Sequence, residues 1–242
     1  MGNHDLFYRD KREINSMEFV RYIPNVHIVN EWIIENDVAI IPWVVQDEWK
    51  KIKEIKARYM FGHFELPYFK MNAMVDMPDT GTIKAEHFKN QEYMFTGHFH
   101  KRQISNNIHY MGNAFPHNYA DAGDDERGMM ILEWGGKPKY INWPDMPRYR
   151  NFKISKLLND ADDMLQSNMY VRVSLDIKIS YEEANFIRET FMEKYKLREL
   201  QLIPEQIDQA QQPLVKVEKF DSVDQIVLKQ LDCLLYTSPS PR

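Results

Sequence analysis

The chain has 242 residues, with 31 Lys and Arg against 36 Asp and Glu, a formal net charge of −5. Hydrophobic residues make up 43% and aromatic residues 13%, enough to fill a core and too many for a disordered chain. The single cysteine, Cys233, excludes an internal disulfide framework and a thiolate cluster, no apolar run nears the ~18 residues of a bilayer span, and the mild acidity argues against a protein that coats nucleic acid indiscriminately.

Residues 26–29 read as a short strand. Val38-Ala39-Ile40-Ile41, stopped by Pro42, reads as a buried one. Residues 46–57 are charged and helix-prone, and they feed Arg58-Tyr59-Met60-Phe61, an apolar run stopped by Gly62-His63. Residues 82–88 suit a helical turn. Tyr93-Met94-Phe95-Thr96 repeats the earlier design, an apolar run stopped by Gly97-His98. Residues 108–111 read as a strand, and residues 129–134 and 138–143 as a hairpin turned by Gly135-Gly136. The rigid stretch Trp143-Pro144-Asp145-Met146-Pro147 closes this first unit. Beyond it, residues 169–179 alternate as a strand. Ser180 with Glu183 three residues on is a capping box for a helix to about residue 196, and residues 197–203 return as a strand. Such a βαβ module is too small to be the main catalytic body. Residues 206–212 form a Gln-rich linker and residues 222–231 a short amphipathic helix. Residues 236–242 resemble translated adapter sequence and stand apart from the fold. The expected class is α+β, with a layered domain over 1–147, a βαβ domain over 148–205, linker and helix over 206–235 and a non-native tail over 236–242.

Three motifs carry chemistry: Gly2-Asn3-His4-Asp5, Gly62-His63-Phe64-Glu65 and Gly97-His98-Phe99-His100. Each sets a His directly or one residue after a Gly, and two follow an apolar run. Glycine permits a sharp turn at a strand end, so that the next side chain faces a cleft. Imidazole nitrogens and amide oxygens are ligands for borderline divalent metals. Loops gathered at one sheet edge would bring these segments together. His27, His87, His109 and His117 lack this context and read as core or surface histidines.

These motifs resemble the later metal motifs of the calcineurin-like metallophosphoesterases, and within them the compact, phage-type SbcD-like recombination nucleases. Ile108-His109-Tyr110-Met111-Gly112-Asn113 resembles the stretch after the last metal motif, and Asp125-Glu126-Arg127-Gly128 the end of the phosphoesterase domain. The resemblance covers residues 1–205. It implies a layered β-sandwich flanked by helices, with the βαβ module as a DNA-capping domain. It implies that Asn3, His63 and His98 bind one metal, that His100 binds a second, that His4 contacts the scissile phosphate and that Asp5 orients His4. Two divalent ions, Mn2+ by family habit, would clamp an in-line displacement. DNA, an SbcC-type SMC-like ATPase and a second copy in a homodimer are the implied partners, in a cytoplasmic setting (the host's, if phage-encoded).

The family's Asp-x-His and Gly-Asp-x-x-Asp motifs precede Gly-Asn-His-Asp, whereas this chain starts at the third motif, as an N-terminally truncated fragment would. The expectation is that it holds at most one divalent ion weakly and does not hydrolyse phosphodiesters alone. Arg9, Lys11 and Arg12 follow the first motif, Lys101 and Arg102 the last, and these five suit a DNA backbone track; Arg148, Arg150, Lys153 and Lys156 cluster at the domain junction. The leading reading is a metal-dependent DNA exo/endonuclease subunit of double-strand break processing. The alternatives are a phosphoesterase acting on nucleotides or phosphoproteins, and a non-catalytic subunit that binds DNA or the ATPase.

Overall fold

A computed structural model describes residues 1–71 and 75–204. The expected linker, helix and tail over 206–242 lie outside the described residues. Residues Met1–Pro204 form one compact unit of mixed α/β structure, with several sheets and few helices, compatible with an α+β class.

A small hairpin opens the chain: β1 (Leu6–Tyr8) pairs antiparallel with β2 (Lys11–Asn15). The main sheet has six strands: β3 (Ile33–Glu35), β4 (Val38–Ile41), β5 (Tyr59–His63), β6 (Tyr93–Gly97), β7 (Gln103–Ser105) and β8 (Ile108–Tyr110). Their spatial order is β3-β4-β5-β6-β8-β7. The four central strands are parallel, and β3 and β7 close the edges antiparallel. The β3–β4 turn is Asn36-Asp37, both at positive φ (48° and 67°), the conformation a tight hairpin demands.

Period-2 alternation assigns the two faces of this sheet. Ala39, Met60, Met94 and Ile108 are register neighbours on one face, all buried with Ile52, Phe64, Leu66 and Phe88 in the main core. The opposite face carries the row Ile40, Phe61, Phe95 and His109. A second hairpin, β9 (Gly128–Ile131) with β10 (Lys139–Asn142), covers the His109 end of that row. Tyr140 stacks on His109 with its hydroxyl 2.5 Å from Nδ1, and Trp134 packs on Tyr59. Gly128 begins β9 because a Cβ there would fall 2.0 Å from the Ile141 carbonyl oxygen. As expected, Gly135 (φ +82°) makes the hairpin turn.

The expected helix over 46–57 shrinks to one turn, α1 (Trp49–Ile52). Downstream, the Asn90 and Gln91 side-chain amides take the carbonyls of Lys53, Ile55 and Ala57, and so hold the chain open where helical N–H groups would otherwise bond. Residues 26–29 form no strand: Val26 and His27 are exposed, and the sheet-edge position is taken by β3. The helices expected to flank the sheet reduce to α1 and short 3-10 turns such as Ala85–Phe88.

The remaining sheet is parallel, in the order β11 (Arg148–Lys153), β12 (Met169–Leu175), β13 (Glu199–Pro204), with α2 (Ile154–Met164) and α3 (Tyr181–Lys194) as crossovers. The βαβ expectation captured its second half. Ser180 and Glu183 form the reciprocal cap of α3, at 3.2 Å and 2.9 Å. The strand before it escaped notice because Arg-Tyr-Arg-Asn-Phe-Lys lacks the apolar signature of a buried strand; Arg150 within it is neutralised by Asp125. Ile154, Leu157, Val171, Val173 and Leu200 give this sheet a core of its own.

Candidate metal-binding cleft

The cleft lies at the carboxyl ends of the parallel strands, where successive strands deliver consecutive loops to one place. His63 ends β5 and is in register with Gly97, which ends β6, so His98 emerges one residue beyond it. The N-terminal residues join this edge through the Trp43 N–H, which donates to the Met1 carbonyl at 2.8 Å. Asn3–Asp5 is a 3-10 turn, tied by the Gly2 N–H donating to the Asp5 carboxylate at 2.7 Å.

Three donor atoms converge. Asn3 Oδ1 lies 3.0 Å from His63 Nε2 and 3.4 Å from His98 Nδ1, and the two ring nitrogens are 3.3 Å apart. Neighbouring ligands of one ion with bonds of about 2.1 Å stand this far from each other. Burial pushes the His63 imidazole down to about 4, with His98 adding to the shift. Burial also lowers His98, against the opposing pull of Glu65, whose Oε1 stands 3.6 Å from Nε2. Both rings are therefore neutral at pH 7 with lone pairs to offer. Two imidazoles and an amide oxygen fit a borderline divalent cation. Among the described residues, no group of three His, Cys, Asp or Glu side chains is placed to hold a metal.

The glycines serve this cluster differently from the expectation. None of Gly2, Gly62 and Gly97 has a positive φ; the left-handed conformation falls on His98 itself, at φ 90°. The glycines provide room. A Cβ on Gly2 or Gly97 would lie 2.9 Å or 2.8 Å from the His63 ring, which sits between them. Backbone strain at a non-glycine residue is characteristic of positions that function holds in place.

Asn3, His4, Asp5, His63, His98 and His100 all line one pocket. His4 and His100 are exposed at its mouth. The His100 ring lies 5.7 Å from that of His117, a histidine the sequence assigned no role. Two further residues the sequence assigned no role adjoin the cluster: Trp43, whose ring packs 5.9 Å from His63 and 5.5 Å from His98, and Glu65, the last residue of the second motif. Arg127, read from the sequence only as marking the end of the domain, also serves the cleft. Its buried guanidinium donates to the His100 carbonyl at 2.8 Å and is neutralised by Asp121 and Asp124, which fixes the last loop from beneath. Trp43 follows Pro42 at the end of the β4 run, and that position was the signal available.

The five basic candidates separate. Arg9 and Lys11 are exposed, and Arg9 lines the cleft wall. Arg12 is 11% exposed, bridges Glu48 at 2.5 Å and donates to the Trp43 carbonyl. Arg102 lies over the Tyr140 ring and donates to Asn142. Lys101 is half-buried beside Asp121 and Asp124.

Nitrogen and oxygen donors drawn from three distant segments meet at the carboxyl edge of a parallel sheet, a donor set that would suit a borderline divalent ion. The chain matches no protein-family model. It is similar to exonuclease subunit 1 of Enterobacteria phage T4, 28% identical over 144 residues, which cover 55% of this chain and 41% of that protein. The chain thus spans about two fifths of the length of this relative. No helix among the described residues is long and apolar enough to cross a membrane.

Proposed function

We propose that this chain is part of a metal-dependent nuclease subunit of calcineurin-like type, acting on the phosphodiester bonds of DNA. The observation that carries the reading is the convergence of Asn3 Oδ1, His63 Nε2 and His98 Nδ1 within 3.0–3.4 Å. The likeness to a protein named as an exonuclease subunit supports it. Asn3, His63 and His98 would hold one Mn2+ or similar ion, and His100 would offer a ligand to a second. When bound, such ions supply Lewis-acid stabilisation and an acidified water. The chain's own residues do the rest. His4, exposed at the mouth, reaches the phosphate and hands a proton to the leaving oxygen; Asp5 keeps the turn that presents it. Glu65, beside His98 Nε2, favours the tautomer that leaves Nδ1 unprotonated. The module over 148–204 would serve as the DNA cap, and an SbcC-type ATPase and a second copy would be the protein partners.

Titration calorimetry of the chain with Mn2+ tests the reading. One weakly bound ion per chain is expected, lost in His63→Ala, with no cleavage of linear duplex DNA by the chain alone. Tight binding of two ions per chain, or binding indifferent to His63→Ala, would overturn this ligand assignment.

A further inference from the structure

At the cleft mouth His100 meets His117, which lies outside the three motifs. Their ring centres are 5.7 Å apart and the rings are inclined by 54°, so they are not stacked on each other. With a metal–nitrogen bond of about 2.1 Å, two imidazoles on one ion have ring centres roughly 4.5–6.4 Å apart. Both rings are exposed, yet both backbones are anchored to one buried ion pair. The His117 N–H donates to Asp121 Oδ2 at 2.9 Å, Asp121 Oδ1 accepts from Arg127 Nη2 at 2.9 Å, and Arg127 Nη1 donates to the His100 carbonyl at 2.8 Å. The Arg127 side chain is 1% exposed, so water does not loosen this bridge.

Asn113 ties the same two residues a second time. Its N–H donates to the His100 carbonyl at 2.9 Å, and its side-chain amide lies 3.1 Å from His117 Nδ1. The amide takes up Nδ1 and leaves Nε2 as the open nitrogen, and an amide oxygen turned to Nδ1–H fixes that tautomer. Asp121 and Asp124 set two carboxylates against the single Arg127 charge, so the ground beneath the pair is net negative and favours a cation over an anion. We infer that His117 is a second imidazole ligand beside His100, and that the two together hold a borderline divalent cation, with the Asp121–Arg127 pair and Asn113 setting their spacing. This deepens the proposed function and rests on its assignment of His100 to an ion. Mn2+ stands at the weak end of the divalent affinity order, so a pair of imidazoles is filled by Zn2+ at concentrations where Mn2+ leaves it open.

The test is a Zn2+ titration of the His63→Ala chain, which lacks the three-donor cluster, followed by calorimetry and by the histidine ring proton signals in NMR. The His100 and His117 rings are expected to shift together at the same Zn2+ concentration. Adding His117→Ala, or His100→Ala, should weaken this Zn2+ site at least about tenfold. Both substitutions fall on exposed side chains, and any Zn2+ held by Cys233 is common to all the chains compared, so the difference between them is the reading. A thermal melt accompanies each variant, and if His63→Ala does not fold, the paired ring shifts are read in the parent chain. Zn2+ affinity unchanged by His117→Ala, or a shift of the His100 ring without His117, overturns the pair. Mn2+ binding lost in His63→Ala together with unmoved His100 and His117 rings overturns the pair and leaves the Asn3–His63–His98 site standing. Paired shifts in a chain whose Mn2+ binding is indifferent to His63→Ala keep the pair and remove that site.

Discussion

At the scale of single residues, the cleft is governed by what lies next to one imidazole. His63 occupies a slot between Gly2 and Gly97, and neither glycine can gain a methyl group without moving the ring. Overpacking of this kind costs about 1–3 kcal/mol. Gly97→Ala is therefore expected to lower the melting temperature by several degrees and to weaken Mn2+ binding at least tenfold, read by calorimetry; Mn2+ binding equal to the parent chain would mean the ring is not held by this slot. The motif glycines were legible as special, but their reason was not. A run of Gly-His pairs signals a constraint without saying whether it is torsional or steric. Only the backbone angles show that the torsional burden rests on His98.

At the scale of elements, the β9–β10 hairpin is fastened to the sheet through a titratable contact. His109 is buried, its ring is stacked on Tyr140 and flanked by Tyr93 and Phe95, and Arg102 lies over the far side of the assembly on the Tyr140 ring. Burial lowers the His109 pKa from its ordinary 6.5. The unfolded chain thus binds more protons than the folded one between pH 6.5 and that lower value, so this residue's contribution to stability falls as pH drops through the window. Urea unfolding at pH 7.5 and 5.5 should show a loss of stability that is smaller in His109→Phe; an identical loss in the variant would remove His109 as a source. Element-level legibility followed burial. β4, β5, β6 and β8 are read directly because each is a mostly apolar run with one face buried in the main core. β11 is disguised by its charges, and the 46–57 helix is broken by amides 34–37 residues away, a long-range effect that no local window contains.

At the scale of the whole molecule, the main sheet is covered unevenly. The row from His109 to Ile40 runs from buried to exposed, and the edge strand β3 carries Ile33 and Ile34 in solvent. Exposed apolar residues on an edge strand, here beside a single charge at Glu35, invite strand pairing with another chain. Ile34→Lys is expected to reduce concentration-dependent self-association in sedimentation velocity while changing the unfolding free energy by no more than about 0.5 kcal/mol; undiminished association would place the contact elsewhere. By itself the sequence determined the chemistry on offer: which side chains can ligate, which runs must be buried, and where Ser180 and Glu183 cap a helix. These are properties of local composition and spacing, and they survive in any fold that respects them. The tertiary structure decided which donors meet. Asn3 and His98 are 95 residues apart and meet because β5 and β6 pair in a register that sets His63 beside Gly97, while the Trp43 N–H holds the Met1 carbonyl at the same edge. The fold also withdrew Arg12 into an ion pair and set Trp43, Glu65 and Arg127 around the cleft. Contacts of that kind depend on strand order and register, which hydrogen bonds between distant segments fix and local sequence does not.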